Sequence, residues 1–228
     1  MDSNLLLKLC KNNKEKMKKL AEQINTLNES LAEQLPVEIL EIFGRSIADL
    51  QAQKYKENSI LVGQTFPEFR LPNTNDEHVA LKDILKNGKV VIAFFRGSWC
   101  PYCNLELKAL QENLKGITDK QATLVAISPQ TIAHNVSMKT DCQLEYELLT
   151  DKDNILAKEI GINFGLQEYV IPTYQGLGID LSIYNGNSNN ELPMPAVFLL
   201  DTDGTILYKF VEENYMQRVD IEELIGNL

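Results

Sequence analysis

Cysteine, histidine, tryptophan and positive charge are all scarce in this chain. Its 228 residues include four cysteines, two histidines and one tryptophan. His78 and His134 have no ligand-like spacing, so they do not complete a zinc site with a cysteine pair, and no metal is expected. Cys10 and Cys142 stand alone, while Cys100 and Cys103 are close together. That is not the cysteine framework of a stapled secreted domain; it suits a reducing compartment with one redox pair. Basic residues number 22 against 32 acidic, a formal net charge of −10, which excludes a nucleic-acid backbone as the main partner. No apolar run reaches the roughly 18 residues that cross a bilayer, so no membrane partner is expected. The Leu5-Leu6-Leu7 stretch is too short for a secretory h-region and no small-residue cleavage site follows it. A cytoplasmic protein is the expectation.

What is present is an ordinary globular composition, 44% apolar and 24% charged, enough for a sizeable core. Residues 3 to about 35 predict a helix. Met17, Leu20, Ile24, Leu27 and Leu31 fall on one face at 3-4-3-4 spacing. Two readings follow: a homodimer through this stripe, or a helix packed on its own domain. Two heptads are too few to argue a coiled coil. Pro36 suits the first turn of a second helix, with an amphipathic pattern continuing to about residue 56. Residues 1–58 thus read as a helical extension and 59–228 as a separate domain.

Within that domain, strands alternate with helices. Lys89–Phe95, Ala122–Ser128, Tyr146–Asp151 and Ala196–Leu200 read as strands. Leu105–Leu114, Ile132–Lys139 and Asn154–Ile160 read as helices, and Ile221–Leu228 as a final one. Asp201-Thr202-Asp203-Gly204 reads as a hairpin turn leading into Thr205–Phe210. The sum is an α/β fold: a mixed central sheet with helices on both faces, built on βαβ crossovers. Phe164–Asn190, rich in Gly, Asn and Tyr, is a long irregular excursion, and excursions of that size are functional or disordered.

The segment around which these elements gather is Val90-Val91-Ile92-Ala93-Phe94-Phe95-Arg96-Gly97-Ser98-Trp99-Cys100-Pro101-Tyr102-Cys103. A strand ends in a short turn, and Cys-x-x-Cys opens a helix. The first thiol there meets free backbone N–H groups and the positive dipole end, which stabilise a thiolate. Pro101 is pre-set for the first helical turn. Trp99 and Tyr102 flank the pair as a docking face, a cover, or core aromatics. Arg96 is either a cation beside the thiolate or a surface charge at a strand end. Met194-Pro195, just before a strand, is a position where a cis peptide would press the chain against the dithiol. Cys10 and Cys142 read as bystanders, Cys142 as an ordinary unpaired cysteine.

Three segments in order then carry a resemblance: Phe95-Arg96-Gly97-Ser98-Trp99-Cys100-Pro101-Tyr102-Cys103, Val125-Ala126-Ile127-Ser128-Pro129-Gln130-Thr131, and Leu192-Pro193-Met194-Pro195-Ala196-Val197-Phe198. Together they resemble the AhpC/TSA-type peroxiredoxin-like family of the thioredoxin superfamily, in its Cys-x-x-Cys form similar to bacterioferritin comigratory protein-like peroxiredoxins. The likeness covers about residues 36–228. It implies a thioredoxin-like fold, reduction of hydrogen peroxide or alkyl hydroperoxides by thiols, no cofactor, thioredoxin or a similar dithiol as reductant, and a cis Pro195. Two overlays of the peroxiredoxin pattern Pro-x-x-x-Thr-x-x-Cys are open. One puts Cys103 in the peroxidatic place, with Cys100 for threonine, Arg96 for proline, and Pro195 where the family has an arginine. The other matches Cys100-Pro101 and makes Cys100 the nucleophile. Position at the helix start favours Cys100.

Three functions follow. The first is a thiol peroxidase with a Cys100/Cys103 redox disulfide, supported by Arg96, Ser98, Trp99, Tyr102 and Pro195. The second is a protein-disulfide oxidoreductase with little peroxidase activity. The third is a redox-sensing, partner-binding module.

Overall fold

The computed structural model describes residues 19–228. The predicted helix before residue 19, with Met17 and Cys10, lies outside the described residues. Helix α1 (Leu20–Gln34) is followed by α2 (Val37–Gln51) and a single turn α3 (Tyr55–Asn58). Pro36 is the N-cap of α2, one residue earlier than expected. The stripe of α1 turns inward. Leu20 and Ile24 are buried in the same hydrophobic cluster as the central strands, with Leu27 and Leu31 packed against it. Polar contacts secure the helices to the rest: Ser46 Oγ donates to Gln167 Oε1 at 2.8 Å, and the Lys56 N–H to Glu213 Oε1 at 2.7 Å.

The domain proper opens with a small antiparallel pair, β1 (Arg70–Pro72) and β2 (His78–Ala80), and a short α4 (Leu81–Leu85). Then come β3 (Lys89–Phe94), α5 (Pro101–Glu112), α6 (Leu114–Thr118), β4 (Ala122–Ser128), α7 (Ile132–Asp141), β5 (Glu147–Thr150) and α8 (Ile155–Glu159). The chain closes with β8 (Ala196–Leu200), β9 (Ile206–Val211) and α11 (Ile221–Gly226). The excursion before β8 is folded. Strands β6 (Asn163–Gly165) and β7 (Glu191–Pro193) pair across its base, enclosing α9 (Ile171–Gly176) and α10 (Leu181–Asn185).

The main sheet runs β5-β4-β3-β8-β9. Strand β3 pairs parallel with β4 and antiparallel with β8, so the sheet is mixed as expected. Val90 to Phe94 and Ala196 to Leu200 are buried without alternation, because helices cover both faces. Phe198 joins the two halves edge-on, 5.4 Å from the Phe66 ring and 6.1 Å from Phe94. Strand β3 is central, so whatever follows its C-terminal end is held rigidly, and that is the Arg96–Cys103 loop.

One expectation is corrected here. The Met194–Pro195 peptide is trans. The Met194 N–H donates to the Ile162 carbonyl, and the Pro195 carbonyl accepts from the Glu212 N–H. The chain thus passes extended from β7 into β8, with no tight bend for a cis bond to make.

Candidate active site

Each side chain of the site is delivered by an identifiable element. At the end of β3 the chain crosses Gly97, whose φ is +151°. A Cβ there would lie 2.4 Å from Trp99 Nε1, so the indole packs directly on the glycine. Gly97→Ala is expected to cost about 1–3 kcal/mol, read as a lowered denaturation midpoint. The loop is pinned from β4: the Ser98 N–H donates to Gln130 Oε1 at 2.9 Å, and Gln130 Nε2 donates to Asn135 Oδ1 at 2.7 Å. Asn104 Nδ2 returns from α5 to the Ser98 carbonyl at 3.0 Å. The Ser128-Pro129-Gln130 segment thus acts as a clamp on the thiol loop.

Cys100 is the N-cap of α5, with Pro101 in the first turn. Cys103 lies one turn inward and accepts from the Arg96 N–H at 3.5 Å. Both thiols are free and buried. Only Cys100 of the pair lines a cavity of about 740 Å³.

Two guanidinium groups approach the thiols. Arg96 is 2% exposed, buried rather than at the surface. It is held among rings, 4.4 Å from the Tyr215 centroid and 5.0 Å from Trp99, and it donates to Tyr174 Oη. Arg218 enters from the loop after β9. Its Nη2 stands 3.4 Å from Cys103 Sγ and 3.9 Å from Cys100 Sγ, and its Nη1 donates to Glu106 Oε2 at 2.9 Å. Tyr102 Oη donates to Asn28 Oδ1 of α1 at 2.6 Å.

These contacts separate the two thiols chemically. Burial opposes ionisation of Cys100, but the hydrogen bond from Cys103 and the Arg96 and Arg218 cations outweigh it and draw the thiol down to about 6. Cys103 is held well above the ordinary thiol value by burial, by its bond to Cys100 and by that residue's negative charge. Burial raises Glu106 to about 7, with Arg218 opposing the rise. At neutral pH the pair is therefore poised as one thiolate and one thiol.

Of the residues singled out from the sequence, Arg96, Ser98, Trp99, Cys100 and Tyr102 all line the cavity. Pro195 does not line it, and its carbonyl is engaged with Glu212 instead. Cys142, expected to be unpaired, is disulfide-bonded; an isolated position in sequence carries no information about pairing across the fold. Sequence reasoning missed Glu106, Tyr174, Tyr215 and Arg218. Glu106 had a signal, since it falls one turn after Cys103 on a buried helix face. Arg218 had none beyond being one of 22 basic residues.

The AhpC/TSA family model matches residues 62–209. The chain belongs to the AhpC/TSA family. Among similar proteins, a putative peroxiredoxin bcp of Helicobacter pylori is 36% identical over 92 residues, 40% of this chain and 60% of its own length. A putative peroxiredoxin bcp of Buchnera aphidicola is 30% identical over 100 residues, 44% of this chain and 63% of its own. The chain thus spans about three fifths of the length of these curated relatives. Among solved structures, the peroxidoxin BcpB of Mycobacterium tuberculosis superposes with a TM-score of 0.59 at 21% identity, over 73% of this chain and 94% of that one. The fold shared with that structure is thioredoxin-like. Arg218 and Tyr215 lie beyond the matched span, as do α1 and α2, so this AhpC/TSA chain completes its thiol site from segments the family model leaves out.

Proposed function

We propose that this protein is a thiol peroxidase in which Cys100 is the nucleophile and Cys103 resolves. The observation that carries this reading is a thiol lowered to about 6, facing a cavity, with two buried guanidinium groups beside it. The Cys100 thiolate attacks the terminal peroxide oxygen. The O–O bond breaks, a sulfenic acid forms on Cys100, and the leaving alkoxide or hydroxide takes a proton. Arg96 and the free N–H groups at the start of α5 stabilise the developing charge. Cys103 then attacks the Cys100 sulfur, expelling water and forming the Cys100–Cys103 disulfide. Thioredoxin or another dithiol returns both thiols by exchange.

Two measurements test this. The single-turnover rate of Cys100 oxidation should rise with pH through a midpoint near 6 and level off above about 7, because only the thiolate reacts. A midpoint near the ordinary thiol value of 9 would remove the electrostatic argument. In Cys103→Ser, peroxide should leave one added oxygen on Cys100 and no intramolecular disulfide, as seen by mass spectrometry.

A second reading, protein-disulfide exchange, is favoured by the dithiol at a helix N-terminus and by a 26% identical relative, the thiol:disulfide interchange protein DsbE of Vibrio cholerae. Cys100 is 1% exposed, so exchange with any protein partner, a thioredoxin-type reductant included, must pass through the cavity and does not separate the two readings. Rapid insulin-disulfide reduction without peroxide turnover would favour this alternative.

A further inference from the structure

Cys100 is closed off from solvent, yet both readings above need a protein sulfur to reach it. A cavity of about 740 Å³ takes a small molecule but not the edge of a protein. A wall of the cavity must therefore move. The α1–α2 hairpin supplies one wall, through Asn28, Leu31, Leu35, Leu40, Phe43 and Gly44.

This hairpin is anchored at its feet and not at its tip. Leu20 and Ile24 are buried at the start of α1, and Ser46, Ile47 and Leu50 towards the end of α2. Between these anchors, no residue from 25 to 45 is buried. Leu27, Leu31, Ile42 and Phe43 pack against the core while only partly covered, and Val37 is 64% exposed. Among the described residues, this stretch makes one hydrogen bond outside the hairpin, Asn28 Oδ1 accepting from Tyr102 Oη. Phe43 adds an edge-on ring contact to Tyr174 at 5.9 Å. Tyr102 lies between the two cysteines, and Tyr174 accepts from the buried Arg96. The tip is thus fastened to the thiol site itself. Gly44 falls where the unburied tip meets the buried foot of α2, and glycine weakens a helix interior. A Cβ there meets nothing within 4 Å, so packing does not require the glycine.

Resting on the exchange step that both readings share, we propose that residues 25–45 form a hinged flap that swings off the thiol site to admit a protein dithiol of thioredoxin type. Its hinges lie after Ile24 and at Gly44. With the flap open, the partner's thiolate attacks Cys100 Sγ. The Cys100–Cys103 bond breaks, Cys103 leaves as a thiolate and takes a proton, and a mixed disulfide joins Cys100 to the partner. The partner's second thiolate attacks its own bonded sulfur and releases Cys100 as a thiolate. One electron pair has passed, and the partner carries the disulfide. Peroxide and small thiols reach Cys100 with the flap closed, so its opening controls access by proteins alone.

The test starts from protein oxidised with diamide to the Cys100–Cys103 disulfide, which keeps it independent of peroxide. Reduction is timed with dithiothreitol and with a bacterial thioredoxin, by alkylation and mass spectrometry of the peptides that hold Cys100 and Cys103. Asn28→Ala removes the fastening to Tyr102 and should speed reduction by thioredoxin about threefold to tenfold. Gly44→Ala stiffens the hinge and should slow it by up to about fivefold. Neither should change the rate with dithiothreitol. A disulfide that thioredoxin does not reduce, a thioredoxin rate unchanged in folded Asn28→Ala, or a dithiothreitol rate that moves in parallel would overturn the proposal. Amide hydrogen exchange in the wild type decides the question should neither variant fold. Residues 25–45 should exchange well before β3, and exchange as slow as in β3 would overturn the flap, since it must open without global unfolding. Failure of the peroxidase reading looks different: peroxide would leave Cys100 reduced, while the diamide-formed disulfide still showed the two opposite shifts with thioredoxin.

Discussion

Cys100→Ser is expected to abolish peroxide consumption, lowering the rate by at least about a thousandfold. The serine hydroxyl is nearly isosteric with the thiol but does not ionise near neutral pH, so the arginines beside it have no anion to stabilise. Fold stability should change little, because the Cys100 N–H bond to the Gly97 carbonyl is a backbone contact. Cys103→Ser should behave differently, retaining one turnover at close to the wild-type rate and then stopping. The contrast is measured by stopped-flow oxidation with mass spectrometry of the product. It also separates the two overlays of the peroxiredoxin pattern. If Cys100→Ser still takes up one oxygen rapidly and Cys103→Ser does not, the peroxide is met by Cys103. The geometry argues against that outcome, since Cys103 has no place on the cavity wall and its thiol is held protonated.

Much of this arrangement is legible in the chain because it is local. The run from Lys89 to Phe94 is unbroken and β-rich, and only a strand covered on both faces accommodates it. Asp201 to Gly204 carry turn chemistry, and Pro101 after Cys100 announces the helix start. What was not legible is long-range. The residue that approaches both sulfurs, Arg218, is 115 positions beyond Cys103 and belongs to no periodic pattern. Tyr174 sits in an excursion whose Gly and Asn content hides two short helices, enclosed by strands that pair across its base. Pro195 misled for a related reason. Whether an X–Pro bond bends the chain depends on where the preceding segment comes from. Here β7 already runs in line with β8. The stripe of α1 left open two partners, its own domain or a second chain. Burial of Leu20 and Ile24 in the common core accounts for that stripe without a second chain.

Arg218→Met should have the other large effect, and on two quantities at once. Arg218 and Glu106 are each 1% exposed and paired at 2.9 Å, with Glu106 Oε1 lacking a hydrogen bond among the described residues. Removing the cation strands a buried carboxyl, a change worth about 3–5 kcal/mol. The sign of its pH dependence is fixed. Burial already raises Glu106 from 4.5 to about 7, and without Arg218 it rises further. The folded state then keeps a proton that the unfolded state releases above about 4.5, so the deficit is smallest in acid and grows as pH rises. Chemical denaturation across that range reads it directly. The second quantity is the thiolate. With one of its two cations gone, the midpoint of the Cys100 pH–rate profile should move upward by about a unit, towards the ordinary thiol value. The double variant Arg218→Met/Glu106→Gln distinguishes the roles. A neutral amide in place of the carboxyl should restore most of the stability, yet leave the pH midpoint raised, because the charge facing the sulfurs is still missing. A midpoint that stayed near 6 in Arg218→Met would make Arg218 a structural partner of Glu106 alone, and leave the thiolate to Arg96 and the helix.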